Sequence, residues 1–243
     1  MAVDLLAFGP HPDDLEIGLG GTIAHHAAQG LRVGLCDLTA GEMGSNGTVD
    51  ERLAEAEAAR KVMGAVWREN LRWPDRQIGK HPGHLDQAVT FIRRHQPRVV
   101  AVPYWSDRHP DHVAASAVLT EAVFNAGLKR YQAEGAAWKP EWVCYYFIND
   151  GDKPSFVVDV SAHYEQKRRA LDCHVTQFRP PGNNVDGVEG AGRTAATRLN
   201  TPLFRQLIES RDAQFGALAG VTWAEGVIVR EPIQRATLLK TTP

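Results

Sequence analysis

Short apolar runs alternate along this chain with segments whose apolar residues recur every three or four positions. That rhythm restricts the fold more than any single motif does. Val3, Leu5, Leu6, Ala7 and Phe8 make a run that stops at Gly9-Pro10 and predicts a strand buried on both faces. Over 19–29 the spacing turns helical through Leu19, Ile23, Ala24, Ala27 and Ala28, and Gly30 stands where a helix ends. Residues 31–38 predict a second strand. Beyond a polar loop over 40–49, Thr48 and Glu51 have capping-box spacing ahead of an alanine-rich helix that runs to Met63 and stops at Gly64. A weaker strand over 70–73 and a helix carrying Leu85, Ala88, Val89 and Ile92, closed by Pro97, come next. A buried strand over 98–103 and a helix carrying Ala114, Ala117, Val118, Ala122 and Val123 then follow. Parallel strands need such crossovers, and right-handed ones dominate. The expected fold class is α/β: a Rossmann-like three-layer sandwich with a mostly parallel central sheet and helices on both faces.

After about residue 140 the rhythm loosens. Strands are predicted over 142–148, 156–160 and 223–230, and helices over 162–174 and 199–212, with Pro202 an obstacle near the start of the last. The stretch 179–193 holds two prolines and four glycines among fifteen residues, too many breakers for a regular element, and reads as a lid, a subunit contact or a disordered loop. With 243 residues, 43% hydrophobic and 23% charged, the chain suffices for one domain over 1–243, a regular core over 1–130 and a looser part over 131–243 that completes the sheet and the site rim. A net charge of −2 leaves no basic surplus for nucleic acid. No stretch approaches the ~20 apolar residues of a membrane span. Asp4, Asp13, Asp14 and Glu16 do not fit a signal peptide, and Cys36, Cys144 and Cys173 read as separate reduced thiols. A cytoplasmic protein that binds neither membrane nor nucleic acid is expected.

In an open α/β sheet, ligands bind beyond the carboxyl ends of the strands. Two such ends are polar here: Pro10-His11-Pro12-Asp13-Asp14, and Asp107-Arg108-His109-Pro110-Asp111-His112. If their strands are neighbours, the two loops share one crevice. Zinc takes imidazole and carboxylate ligands, and a catalytic site supplies three and keeps one place open. His11 and Asp14, three apart, can aim at a common point, and either His112 or His109 can complete the set. Asp13 is then free to take a proton from an activated water, and the remaining histidine, backed by Asp111, can stabilise an oxyanion or protonate a leaving amine. Gly18, Gly20 and Gly21 form a G-x-G-G string, but it follows an acidic cluster that would repel a pyrophosphate, so close helix packing is the reading taken over dinucleotide binding. His25 and His26 read as structural or surface residues.

Together the two clusters resemble the LmbE-like, or PIG-L, zinc-dependent de-N-acetylases, which remove acetyl groups from N-acetylglucosamine in small glycoconjugates; the resemblance covers most of the chain. It implies zinc on His11, Asp14 and His112, with iron(II) as the alternative that accepts the same ligands. It also implies Asp13 as general base, and His109 as electrophilic assistant oriented by Asp111. Within the family the sequence is most similar to the bacillithiol-pathway branch, whose substrate is N-acetylglucosaminyl malate. The matching features are Leu38-Thr39, Gly41-Glu42, Ser45-Asn46-Gly47-Thr48 followed by Arg52, Pro74-Asp75-Arg76, Gln177-Phe178, Ser210-Arg211-Asp212 with Phe215-Gly216, and Ala224-Glu225-Gly226, while Trp223 stands where a tyrosine is expected. The guanidinium of Arg52 suits the two carboxylates of such an aglycone. Arg108 either contacts substrate as well or pairs with Asp107, and Ser45 and Asn46, with the rest of the loop to Thr48, line the crevice as glycan hydrogen-bonders or as a flexible rim. The resemblance further implies a homo-oligomer such as a hexamer. Three rivals stay open: action on another conjugate (an inositol glycoside, a chitooligosaccharide or a bacillithiol conjugate), a metal-containing sugar-binding protein without turnover, and a nicotinamide dehydrogenase.

Overall fold

The computed structural model describes residues 2–180 and 195–233. Seven strands pair into one sheet: β1 (Leu5–Gly9), β2 (Val33–Thr39), β3 (Trp67–Trp73), β4 (Val99–Pro103), β5 (Trp142–Tyr146), β6 (Phe156–Asp159) and β7 (Ala224–Ile228). Their spatial order is β3-β2-β1-β4-β5-β7-β6. The first five run parallel, with Leu5 opposite Val33 on one side and Val99 on the other, whereas β7 runs antiparallel to both β5 and β6. The mostly parallel sheet expected from the alternation is therefore present, and the looser second half of the chain adds its far edge.

Helices α1 (Asp14–Ala28), α2 (Val49–Met63), α3 (Gly83–His95), α4 (Pro110–Ala126), α5 (Tyr164–Cys173), α6 (Val175–Phe178) and α7 (Pro202–Ala219) cover the two faces. Alternate strand residues sort between them, as the period of two requires. Leu6, Phe8, Val100 and Val102 join Ala88, Ile92, Leu119 and Ala122 of α3 and α4. Leu5, Ala7 and Ala101 join Leu15, Ile23, Ala59 and Leu171 of α1, α2 and α5. Among the described residues no helix is long and apolar enough to cross a membrane.

Local chemistry explains where the elements begin. The capping box is formed: Thr48 Oγ1 accepts the Glu51 N–H at 3.2 Å, Glu51 Oε2 accepts the Thr48 N–H at 2.7 Å, and Gly64 closes α2 at φ 77°. Three starts differ from the periodic reading by about three residues or more. Helix α1 begins at Asp14 rather than 19, because its first turns are buried all round and show no polar stripe. Strand β3 begins at Trp67 rather than 70, as an edge strand whose Arg68 is buried in ion pairs. Pro202 occupies the first turn of α7, where its missing N–H costs nothing, and the helix runs on to Ala219. Of the 179–193 stretch, all but residues 179 and 180 lies outside the described residues.

The glycine string does serve close packing. A Cβ on Gly18 would meet the Tyr146 ring and lie 2.7 Å from the Phe147 carbonyl oxygen, and one on Gly21 would lie 2.8 Å from Val160. Gly18→Ala is expected to destabilise the fold by about 3 kcal/mol through overpacking, measured by urea unfolding. A change below about 0.5 kcal/mol, the scale of an ordinary surface substitution, would contradict this packing.

Candidate active site

Strands β1 and β4 are neighbours, so both polar loops leave the sheet at one edge and line a single crevice of about 420 Å³. Its position, where the strand order reverses between β1 and β4, is the binding position of open α/β sheets. The Pro10 carbonyl is held by the backbone N–H and the hydroxyl of Thr39, at 3.1 and 3.0 Å, which fixes the first loop against β2.

At the centre, Asp14 Oδ2 lies 3.0 Å from His11 Nδ1 and 3.3 Å from His112 Nε2. The three side chains expected to hold a metal thus converge on one buried point. His11 and His112 also form a group with His109, the ligand nitrogens of the three histidines all lying within 4.8 Å of one another. A second group, His11 with Asp75 and Asp111, meets the same limit. Burial opposes the protonated ring of His11, yet Asp111, Asp14 and Asp75 raise its pKa well above the imidazole range. Burial likewise opposes His112⁺, but Asp14 and Asp107 push the ring up to about 9. Burial would raise Asp14, and the facing His112 and His11 outweigh it and hold the carboxyl well below the usual range. Two buried imidazoles that draw positive charge around a shared carboxylate oxygen are a donor set suited to a divalent cation.

Carboxylates orient the rings from outside. His112 Nδ1 is 3.1 Å from Asp107 Oδ1, and Asp107 also accepts from the backbone N–H groups of His109 and Asn149, at 2.8 and 3.0 Å. His11 Nε2 is 3.3 Å from both Asp75 Oδ1 and Asp111 Oδ2. Such outer carboxylates fix the tautomer and aim of a metal-binding histidine.

Asp13 sits beside this point, buried, in the strained conformation φ 121°, ψ −27°. It holds the N-cap position of α1 but makes no side-chain cap bond; its carboxylate faces Arg52 Nη2 at 3.4 Å instead. Burial raises its pKa to about 6 against the pull of Arg52, which suits a base working near neutral pH. Burial, with His11 and His112 nearby, lowers the pKa of His109. Its Nδ1 accepts the Asp111 backbone N–H at 3.2 Å, so the neutral ring carries its proton on Nε2 as a donor.

Several expectations change. The Asp111 carboxylate does not back His109: Oδ2 meets His11, and Oδ1 accepts from Arg76 Nη1 at 2.9 Å. Arg52 is 4% exposed and donates to the carbonyls of Gly41 and Pro12 at 2.7 and 2.9 Å, so it braces the loops and Asp13 and is not free to fork a substrate carboxylate. The Asn46 side chain is taken up by the Ala195 backbone, with which it exchanges hydrogen bonds at 3.0 and 2.7 Å, and it does not line the crevice. Ser45 and the exposed Arg108 do line the crevice, and Asp107 is engaged by His112 rather than by Arg108. In the sequence Asp75 and Asp107 stand only as parts of motifs, with no sign that they orient the rings. Asn149 and Arg198, bonded to each other at 3.0 Å on the crevice wall, carry no local signal in the chain.

The family profile described as PIG-L, GlcNAc-PI de-N-acetylase, matches residues 6–123, a span that includes both clusters. A diacetylchitobiose deacetylase of Thermococcus kodakarensis is 33% identical over 189 residues, covering 72% of this chain and 70% of that protein. A 1D-myo-inositol 2-acetamido-2-deoxy-α-D-glucopyranoside deacetylase of Mycobacteroides abscessus is 29% identical over 226 residues, covering 72% of this chain and 81% of that one. Among solved structures, a conserved protein of Thermus thermophilus superposes with a TM-score of 0.85 at 34% identity, over 98% of this chain and 100% of that one.

Zinc at about one hundred times its dissociation constant is expected to raise the unfolding free energy by about 2.7 kcal/mol, measured calorimetrically on metal-free protein. Asp107→Asn should weaken zinc binding by about 10- to 100-fold. A melting temperature indifferent to zinc would contradict the cation site.

Proposed function

The chain belongs to the PIG-L family of de-N-acetylases, and from that premise we propose that it hydrolyses the acetamide of an N-acetylglucosamine glycoside bearing an anionic aglycone, N-acetylglucosaminyl malate being the best fit. The convergence of His11, Asp14 and His112 beside a buried Asp13 of raised pKa is the observation that carries the hydrolytic reading. Zinc held by these three ligands would supply Lewis acidity to the acetamide carbonyl and lower the pKa of the attacking water.

The remaining steps belong to the chain's own groups. Asp13 takes a proton from the water as its oxygen bonds to the acetyl carbon. His109 offers Nε2–H to the carbonyl oxygen as negative charge builds there. As the carbon–nitrogen bond breaks, the proton on Asp13 passes to the departing nitrogen, giving acetate and a glucosamine amine. Arg52 keeps Asp13 in place through its contacts with the Pro12 carbonyl and with Asp13 itself. Support for an anionic aglycone comes from Arg108 and Arg198, both exposed and both on the crevice wall, where a guanidinium can take a carboxylate in a bidentate bond. The similarity to a diacetylchitobiose deacetylase favours a second reading, a neutral chitooligosaccharide.

Acetate release from the malate glycoside, the inositol glycoside and diacetylchitobiose separates the two. The malate glycoside should show the highest kcat/KM, and Arg108→Ala with Arg198→Ala should raise its KM by about tenfold or more while leaving diacetylchitobiose nearly unchanged. Equal losses on both substrates would contradict carboxylate recognition. Asp13→Ala should retain zinc and lose turnover by about 10²- to 10⁴-fold, and a near-normal rate would remove Asp13 from its role.

A further inference from the structure

We propose that Arg211, Asp212, Lys167 and Glu225 form a buried clamp that sets the separation of the two ligand-bearing segments, with Arg211 and Glu225 as positioning residues for the cation site. This rests on reading Asp14 and His112 as ligands. In a regular helix the N–H of residue 21 bonds the carbonyl of residue 17. In α1 the Gly21 N–H donates to Glu225 Oε1 at 2.9 Å, the Thr22 N–H donates to Oε2 at 2.7 Å, and the Ile17 carbonyl accepts from Arg211 Nη2 at 2.8 Å. Both members of that backbone pair, one turn beyond Asp14, are therefore held by side chains from α7 and β7.

The two holding side chains are joined to each other. Arg211 Nε donates to Asp212 Oδ1 at 3.1 Å, and Lys167 Nζ reaches both Asp212 Oδ2 and Glu225 Oε1 at 2.6 Å. The Tyr164 hydroxyl donates to Asp212 Oδ2 at 3.0 Å. Lys167 and Asp212 are fully buried and Glu225 is 1% exposed. Two cations balance two carboxylates, as burial demands. A Cβ on Gly20 would lie 3.0 Å from Lys167 Cγ, so the glycine string also makes room for the clamp.

The other arm reaches the second ligand segment. Arg211 Nη1 donates to the carbonyls of Phe147 and Ile148 at 3.1 and 2.8 Å. The next residue, Asn149, donates its backbone N–H to Asp107 at 3.0 Å and places its side-chain nitrogen 3.4 Å from His112 Nδ1. One guanidinium thus spans from the helix that carries Asp14 to the segment that steadies His112. An ion pair serving only the core needs neither arm.

Two charge-balanced double variants test the clamp from opposite sides: Arg211→Met with Asp212→Asn, and Lys167→Met with Glu225→Gln. Zinc dissociation constants are measured by chelator competition at a temperature where each variant is folded, with kcat and KM at saturating zinc. Each double variant should bind zinc about 10- to 100-fold more weakly, with a lower kcat and little change in KM. Ile92→Val, a core change on α3, should lower the melting temperature and keep wild-type zinc affinity. If a double variant does not fold, Arg211→Lys keeps the charge, loses the planar fork and takes its place. Wild-type zinc affinity in folded clamp variants overturns the clamp alone. A wild-type chain that takes up no zinc overturns the reading of the site and the clamp with it.

Discussion

Parallel pairing of β1 with β4 is the contact on which the rest of the molecule depends. With Leu5 opposite Val99 and Ala7 opposite Ala101, the two strands end at one edge, and a polar loop follows each directly. The chain then departs in opposite senses, α1 to one face of the sheet and α4 to the other. Both helices start at the crevice, where their N-terminal N–H groups favour negative charge. Asp14 and Asp111 occupy those first turns, beside the imidazoles they meet.

Gathering so many acids under cover is unfavourable unless each meets a cation, and most of them do. Arg68 of β3 takes Asp37 in a bidentate bond and also meets Glu16, whose pKa it lowers to about 2 against the opposing effect of burial. Arg76 meets Asp111, Arg52 meets Asp13, and Lys167 meets Asp212 and Glu225. Asp14 instead has two imidazoles as close partners, His11 and His112, whose pKa values it helps to raise. A divalent cation bound there would supply the charge that an arginine supplies elsewhere.

The sequence made the sheet legible because β1, β4 and β5 are short apolar runs and the crossovers between the parallel strands keep helical spacing. It made the site legible because His11, Asp13, Asp14, His109 and His112 lie within two short windows directly beyond strands. Less was legible where partners are distant in the chain. Nothing near Arg52 reveals that Gly41 and Pro12 would take its guanidinium inward, and a first-turn arginine that gains nothing from the helix dipole reads more naturally as a ligand for substrate. Asp111 adjoins His109 and His112 in sequence, yet the helical turn carries its carboxylate to His11 and Arg76. The acidic first turn of α1 hides a helix that periodicity alone would start five residues later, because periodicity needs an exposed face to contrast with a buried one.

Anomalous diffraction at the zinc edge from zinc-loaded crystals tests the central claim most directly. The expected result is one strong anomalous peak per chain, within coordination distance of one nitrogen of His11, one nitrogen of His112 and a carboxylate oxygen of Asp14, with Asp13 outside that distance. A peak held by other residues, or none at full zinc loading, would contradict it.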